Sequence, residues 1–320
     1  MPEIHSERLE TLQTIKKNKE ALLKTAPEKQ QASEQLDRIT EGIEQSVGRG
    51  LSGDFSWSVD PDDVEMLREM KLGKGSFGEV FEGIWTGERV AIKMLNGEVK
   101  GDDAVSKTEK EASMWYPLNH PNVLRLRVVC LNADHPFIVM ERKKQDLAKY
   151  LKATPETNII ARIKMMLGIA RGMQYLHELE KPIIHGDLKE ANVLIGDDGS
   201  VCITDFGLAF VKANSKANTK RRSGDLRWVA PEKYKRCYEL DKPSDVFSFA
   251  MAAVEILSGE VPFPELNEDQ EIRSKIAGGE KPPQPPGTPE ALWQPIQDFW
   301  HHKPEMQPEF KDIVERLEEL

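Results

Sequence analysis

Cysteine is scarce in this chain of 320 residues: Cys130, Cys202 and Cys237 are far apart, odd in number and follow no CxxC or Cys/His spacing. That excludes a disulfide framework and a zinc module, and it reads as reduced thiols in a cytoplasmic protein. Long apolar runs are missing too. The best candidate for a membrane span, FSFAMAAVEIL, is short of the ~20 residues a bilayer needs and contains Glu255. The first residues, MPEIHSERLE, are polar and carry no signal-peptide pattern. Nor is there an excess of basic residues: Lys and Arg number 44 against 54 Asp and Glu, a formal charge of -10. Broad electrostatic attachment to nucleic acid or to an anionic membrane is therefore not expected. No internal repeat at solenoid periods is visible.

What is present is a hydrophobic fraction of 39%, enough for a sizeable core, and a clear change of texture along the chain. Residues 1–50 have almost no aromatics and place Leu12, Ile15, Leu22, then Leu36, Ile39, Ile43 and Val47 at helical spacing, with Pro27 between the two groups. This predicts two short amphipathic helices whose apolar stripes pack on the chain itself, on a second copy or on a partner. Residues 51–63, beginning LSGDFS, read as a linker. From Val64 the pattern turns to short strands, EMKLGKG, EVFEGIW, ERVAIKML, VLRLRVVCL and PFIVME. After about Asp146 it becomes mainly helical, with ARIKMMLGIARGMQYLHEL and the apolar VFSFAMAAVEILSG. A β-rich part followed by a helical part predicts an α+β molecule of two lobes with a cleft between them.

Several clusters carry chemistry. Gly73, Gly75 and Gly78 form a GxGxxG string that runs on as strand, a Thr86-Gly87 turn and strand, rather than into a helix. Glycines in such a hairpin let backbone amides approach phosphate closely. Lys93 stands in an apolar strand and needs a carboxylate partner, for which Glu109 and Glu111 both offer themselves. In IIHGDLKEANVL, Asp187 is spaced to accept the proton of an attacking hydroxyl and Lys189 to neutralise a transferred phosphoryl group, while Asn192 offers a metal ligand. Asp205, in TDFG, offers a second oxygen ligand, a set suited to Mg²⁺.

Taken in order, LGKGSFGEV, AIK, a helix glutamate, HGDLKEANVL, DFG, Ala230-Pro231-Glu232 and Ser244-Asp245-Val246 resemble the eukaryotic protein kinase family, over roughly Val64 to Leu320. RWVAPE, DVFSFA and FW look most like its tyrosine-kinase-like serine/threonine branch. The resemblance implies a small antiparallel β-sheet lobe with one helix (about 64–140) and a large, mainly helical lobe (about 146–320). It implies ATP and Mg²⁺ as cofactors, with Mn²⁺ as an alternative ion, and protein substrates. ATP would lie under Leu72, Gly73, Lys74, Gly75, Ser76 and Gly78, with Val80 and Ala91 roofing the adenine and Leu194 also lining the site. The adenine would bond to the backbone around Glu141 to Lys143, beside Met140 as gatekeeper. Lys93, oriented by Glu111, would hold the α and β phosphates. Asp187 would be the catalytic base, Lys189 would contact the γ-phosphate, and Asn192 and Asp205 would hold the metal. His185 and Phe206 would join a stack that aligns the lobes.

The chain departs from the family pattern at named positions. Gly186 replaces the arginine that commonly receives an activation-loop phosphate, so the implied kinase reaches its active arrangement without loop phosphorylation. Asp225 replaces a hydroxyl residue, and Gln307 an arginine that pairs with the glutamate numbered Glu232 here. A buried Glu232 left uncompensated would cost ~3–5 kcal/mol. The rival reading is a pseudokinase scaffold acting through residues 1–50, and a weaker third is a tyrosine kinase; the presence of Lys93, Asp187, Asn192 and Asp205 together favours the enzyme, and Lys189 favours Ser/Thr substrates.

Overall fold

The computed structural model describes residues 57–75, 78–95, 102–211, 226–234, 241–301 and 303–320. The helices expected in 1–50, Ser76, the basic loop with Ser215, Thr219 and Ser223, and Asp225 lie outside the described residues.

The β-like runs after Val64 become β1 (Val64–Gly75), β2 (Gly78–Trp85) and β3 (Glu88–Leu95), followed by helix α1 (Asp102–Trp115), β4 (Leu126–Cys130) and β5 (Phe137–Glu141). They form one antiparallel sheet in the order β1-β2-β3-β5-β4. The β2–β3 turn is Thr86-Gly87, both at positive φ (52° and 82°). That geometry matches strand twist in two-residue hairpins, and glycine adopts it without steric cost. Pairing β2 with β3 places Val80 opposite Lys93 and Glu82 opposite Ala91. Directly opposed residues of an antiparallel pair share a face, so all four look the same way. Helix α1 packs against β4 and β5 and against the short 3-10 turn Phe206–Leu208.

The large lobe begins with β6 (Gln145–Asp146), α2 (Leu147–Ala153) and α3 (Ile159–Glu178), then β7 (Ile183–Ile184), β8 (Val193–Ile195), β9 (Val201–Ile203) and β10 (Phe210–Val211). Four more helices follow: α4 (Lys242–Ser258), α5 (Asp269–Ala277), α6 (Glu290–Phe299) and α7 (Phe310–Glu318). Asn158 caps α3 by accepting the Ala161 N–H, and Asp241 with Ser244 forms a capping box on α4. Helix α4 is buried on all sides from Ser244 to Leu257, as its continuous apolar sequence requires, and forms the axis of this lobe. Small sheets β6-β8-β9 and β10-β7 carry the loops that face the cleft. Among the described residues no helix is long and apolar enough to cross a membrane.

The expected linker is not free over its last residues. Ser58 bridges Val129 in parallel on the outer edge of the sheet; the Val59 N–H donates to Val129 O and the Val129 N–H to Trp57 O, each at 2.8 Å. Trp57 is buried, and its ring centroid lies 5.7 Å from that of Tyr116, just past the end of α1. This closes part of the exposed edge of β4 and adds an aromatic anchor beside α1. Trp57→Ala should lower unfolding free energy by about 3 kcal/mol in a denaturant titration, with Trp57→Phe recovering more than half.

Candidate active site

Lys93 of β3 is only 7% exposed and reaches two carboxylates: Glu111 Oε1 of α1 at 2.8 Å and Asp205 Oδ1, after β9, at 2.6 Å. Glu111 rather than Glu109 is thus the partner. Burial alone would drive the Lys93 ammonium towards neutrality, but Glu111 and Asp205 outweigh it and its pKa is raised. Burial likewise opposes the Asp205 charge, and Lys93 reverses this, so the Asp205 pKa is lowered. Asp205 has φ 68°, a left-handed conformation costly for a side chain other than glycine, held by these contacts.

Asp187 and Asn192 flank the turn after β7. The Asn192 amide donates to Asp187 O at 2.7 Å and Asp187 Oδ2 at 2.9 Å, and Lys189 Nζ lies 3.5 Å from Asp187 Oδ2. Asn192 O accepts the Thr204 N–H at 2.9 Å, tying this turn to the one that carries Asp205. Burial pushes the Asp187 carboxyl pKa up, with Lys189 opposing. Beneath, Asp245 of α4 is fully buried and accepts from three donors: His185 N and His177 Nε2 at 2.9 Å and Gly186 N at 2.8 Å. Burial disfavours its charge, yet the bond to His177 and its companions keep the Asp245 pKa lowered. Gly186 has φ 76°, so glycine accommodates without strain the backbone turn that presents Asp187.

The two turns are stacked on α1. Phe206 lies edge-on to His185 (5.4 Å between ring centroids) and against Trp115 (5.1 Å), and the Trp115 indole N–H donates to Leu124 O at 2.6 Å. At the hinge, Met140 is buried and pairs with Ala91. The Lys143 ammonium bonds Glu141 Oε1 at 2.7 Å, and the Lys144 N–H donates to Ile195 O at 3.1 Å. Val80 and Leu194 are partly buried against the core. Leu72, Gly73, Lys74, Gly75 and Gly78 belong to the β1–β2 hairpin, whose ends meet at Gly75 and Gly78. The Lys74 ammonium is 3.9 Å from Glu79, and its side chain is exposed.

Two features escaped sequence reasoning. Glu82, buried in β2, meets Arg89 and Arg142. Glu190 and Glu255 are both buried and lie against each other, and Glu255 Oε2 accepts the Trp228 indole N–H at 3.1 Å. Acidic residues at apolar-facing positions of β2 and α4 were the available signal. Gln307 donates to His301 O at 2.7 Å rather than to Glu232, which is buried and engaged by at least one other group.

The sequence pattern of the family described as "Protein tyrosine and serine/threonine kinase" matches residues 66–317. Serine/threonine-protein kinase 12 of Arabidopsis thaliana is 33% identical over 273 residues, 82% of this chain and 58% of that protein. Mitogen-activated protein kinase kinase kinase 10 of Homo sapiens is 34% identical over 265 residues, 79% of this chain and 28% of that protein. Tyrosine-protein kinase SRK3 of Spongilla lacustris is 33% identical over 282 residues, 85% of this chain and 81% of that protein. The chain thus spans less than two thirds of the first two relatives.

Burial and the neighbouring Glu255 push the Glu190 carboxyl well above the ordinary value of 4.5, while Arg162 opposes; burial also raises Glu255. The folded chain therefore keeps a proton that the unfolded chain releases above pH 4.5, and raising the pH favours unfolding. Glu190→Gln, which donates at every pH, should be more stable than the parent by about 1–3 kcal/mol at pH 8, the gap closing towards pH 4.5 in paired denaturant titrations.

Proposed function

We propose, because this chain belongs to the protein tyrosine and serine/threonine kinase family, that its cleft transfers the γ-phosphoryl group of ATP to serine and threonine hydroxyls of proteins. One observation carries the reading: Lys93, Glu111 and Asp205 are joined by ion pairs of 2.8 and 2.6 Å across the cleft, with the Asp187–Lys189–Asn192 turn alongside. A scaffold has no physical need for that assembly. Protein kinases of this family use ATP and a divalent metal; Mg²⁺ fits the donors here. Among the described residues no three His, Cys, Asp or Glu side chains converge as a metal cage. A hard ion held by Asn192 and Asp205 oxygens, with waters and phosphates completing its shell, suits this set, because the Asn192 nitrogen is already committed to Asp187.

Asp187 accepts the proton of the incoming hydroxyl as the hydroxyl oxygen bonds the γ-phosphorus and the bond from that phosphorus to the β,γ-bridging oxygen breaks, releasing ADP. Its raised pKa brings its basicity closer to that task, and Asn192 aims it. Lys189, on the same carboxylate, neutralises charge on the transferred group. Lys93, immobilised by Glu111, holds the α and β phosphates. A divalent ion, when bound, supplies further charge neutralisation on the phosphates. The adenine lies under Val80 and Ala91 and bonds the backbone around Glu141–Lys143, beside Met140. Gly73, Gly75 and Gly78, with Leu72, Lys74 and Ser76, cover the phosphates. Lys189 and the serine/threonine kinases among the relatives support Ser/Thr substrates over Tyr. Residues 1–50 form a segment that regulates the kinase, recruits a partner or self-associates, and a cytoplasmic setting fits the three widely spaced cysteines.

Asp187→Asn should lower phosphate incorporation into a generic protein substrate by at least ~10³-fold while nucleotide binding persists. Equal incorporation by both proteins would defeat the reading. Because Gly186 provides no receptor for a loop phosphate, replacing Ser215, Thr219 and Ser223 together by alanine should leave kcat within about twofold, read beside phosphosite mass spectrometry.

A further inference from the structure

Glu82 is out of place by hydropathy. It lies two residues beyond Val80 in β2, opposite Ala91, and so on the face of the sheet from which Lys93 reaches Asp205. Only 1% of it is exposed, and a carboxylate there is costly unless paired. Its two oxygens are taken by two guanidinium groups. Oε1 meets Arg89 of β3, whose side chain is 65% exposed; Oε2 is 3.3 Å from Nε of Arg142, 37% exposed, the first residue after β5.

The position of Arg142 gives this ion pair its consequence. The sheet register runs from Glu82 through Ala91 to Met140, and the neighbouring row from Gly83 through Val90 to Glu141, so the pair spans from β2 over β3 to the start of the hinge. Two residues on, the Lys144 N–H is fixed to Ile195 O of the large lobe at 3.1 Å. Arg142 is thus tethered to the small lobe and residue 144 to the large one, with the peptide groups of residue 143 held between them. We propose that Glu82 is a positioning residue for nucleotide: through Arg142 it fixes the hinge backbone against the roof of the adenine site. The inference rests on the kinase reading of the cleft above.

The full-length chain tests it, with ATP KM, kcat at saturating protein substrate, and the Kd of a fluorescent ATP analogue measured for the parent, Glu82→Gln, Arg142→Ala and Arg89→Ala. Glu82→Gln and Arg142→Ala should each raise KM and Kd about five- to tenfold with kcat within about twofold, and the double variant should be no worse than either single. Arg89 shares the carboxylate but is not on the hinge, so Arg89→Ala should leave KM within about twofold. Removing a buried charge can unfold the small lobe; Arg142→Ala, at a partly exposed site, then carries the test by itself. Unchanged KM in Arg142→Ala, or an equal rise in Arg89→Ala, overturns the assignment while the kinase reading stands. A parent that binds no nucleotide overturns the kinase reading, and this inference with it.

Discussion

The molecule depends on one buried ammonium. Lys93 comes from a strand of the small lobe, Glu111 from its helix and Asp205 from a loop of the large lobe, and the three close in ion pairs of 2.8 and 2.6 Å. Each group alone would be expensive at that depth, so each element is worth placing there only if the others arrive. That mutual requirement makes sheet, helix and large lobe one unit rather than two neighbouring folds. Trp115, at the end of the helix that carries Glu111, extends the same coupling in apolar terms through Phe206 to His185.

A second buried charge supports the Asp187 turn from below. Asp245 has no solvent and three donors, two of them backbone N–H groups of the loop ahead of Asp187. A carboxylate satisfied in this way is a rigid template: to move the His185-Gly186 peptide is to strand a buried charge. Gly186 fits this picture in a way its neighbours' chemistry did not suggest. Its φ of 76° is where glycine is relaxed, so this residue eases the turn on which Asp187 is presented.

Much of this was legible before any coordinates. The strand-to-helix change near Asp146, the Thr86-Gly87 hairpin and the apolar helix α4 are local: turn chemistry and hydrophobic period suffice to find them. The residues of the Asp187–Asn192 turn could be named as candidates because their spacing is itself the constraint. Glu109 and Glu111, in contrast, are two positions apart on one helix, and only the packing of that helix against β4 and β5 selects Glu111. Trp57 looked like part of a linker because its strand pairing and ring contact are to Val129 and Tyr116, far from it in sequence.

The sequence by itself determined the two-lobed order, the kinase resemblance and the identities of the candidate site residues, because each is encoded in short-range pattern and spacing. The tertiary structure alone decided how buried charges are shared. Glu82 between two arginines, Glu190 against Glu255 and Asp245 under the reacting loop join residues separated by up to 68 positions. Whether a buried carboxylate is a defect, a proton store or a tether depends on what folding brings within 3 or 4 Å of it, about the reach over which a hydrogen bond or ion pair offsets lost water.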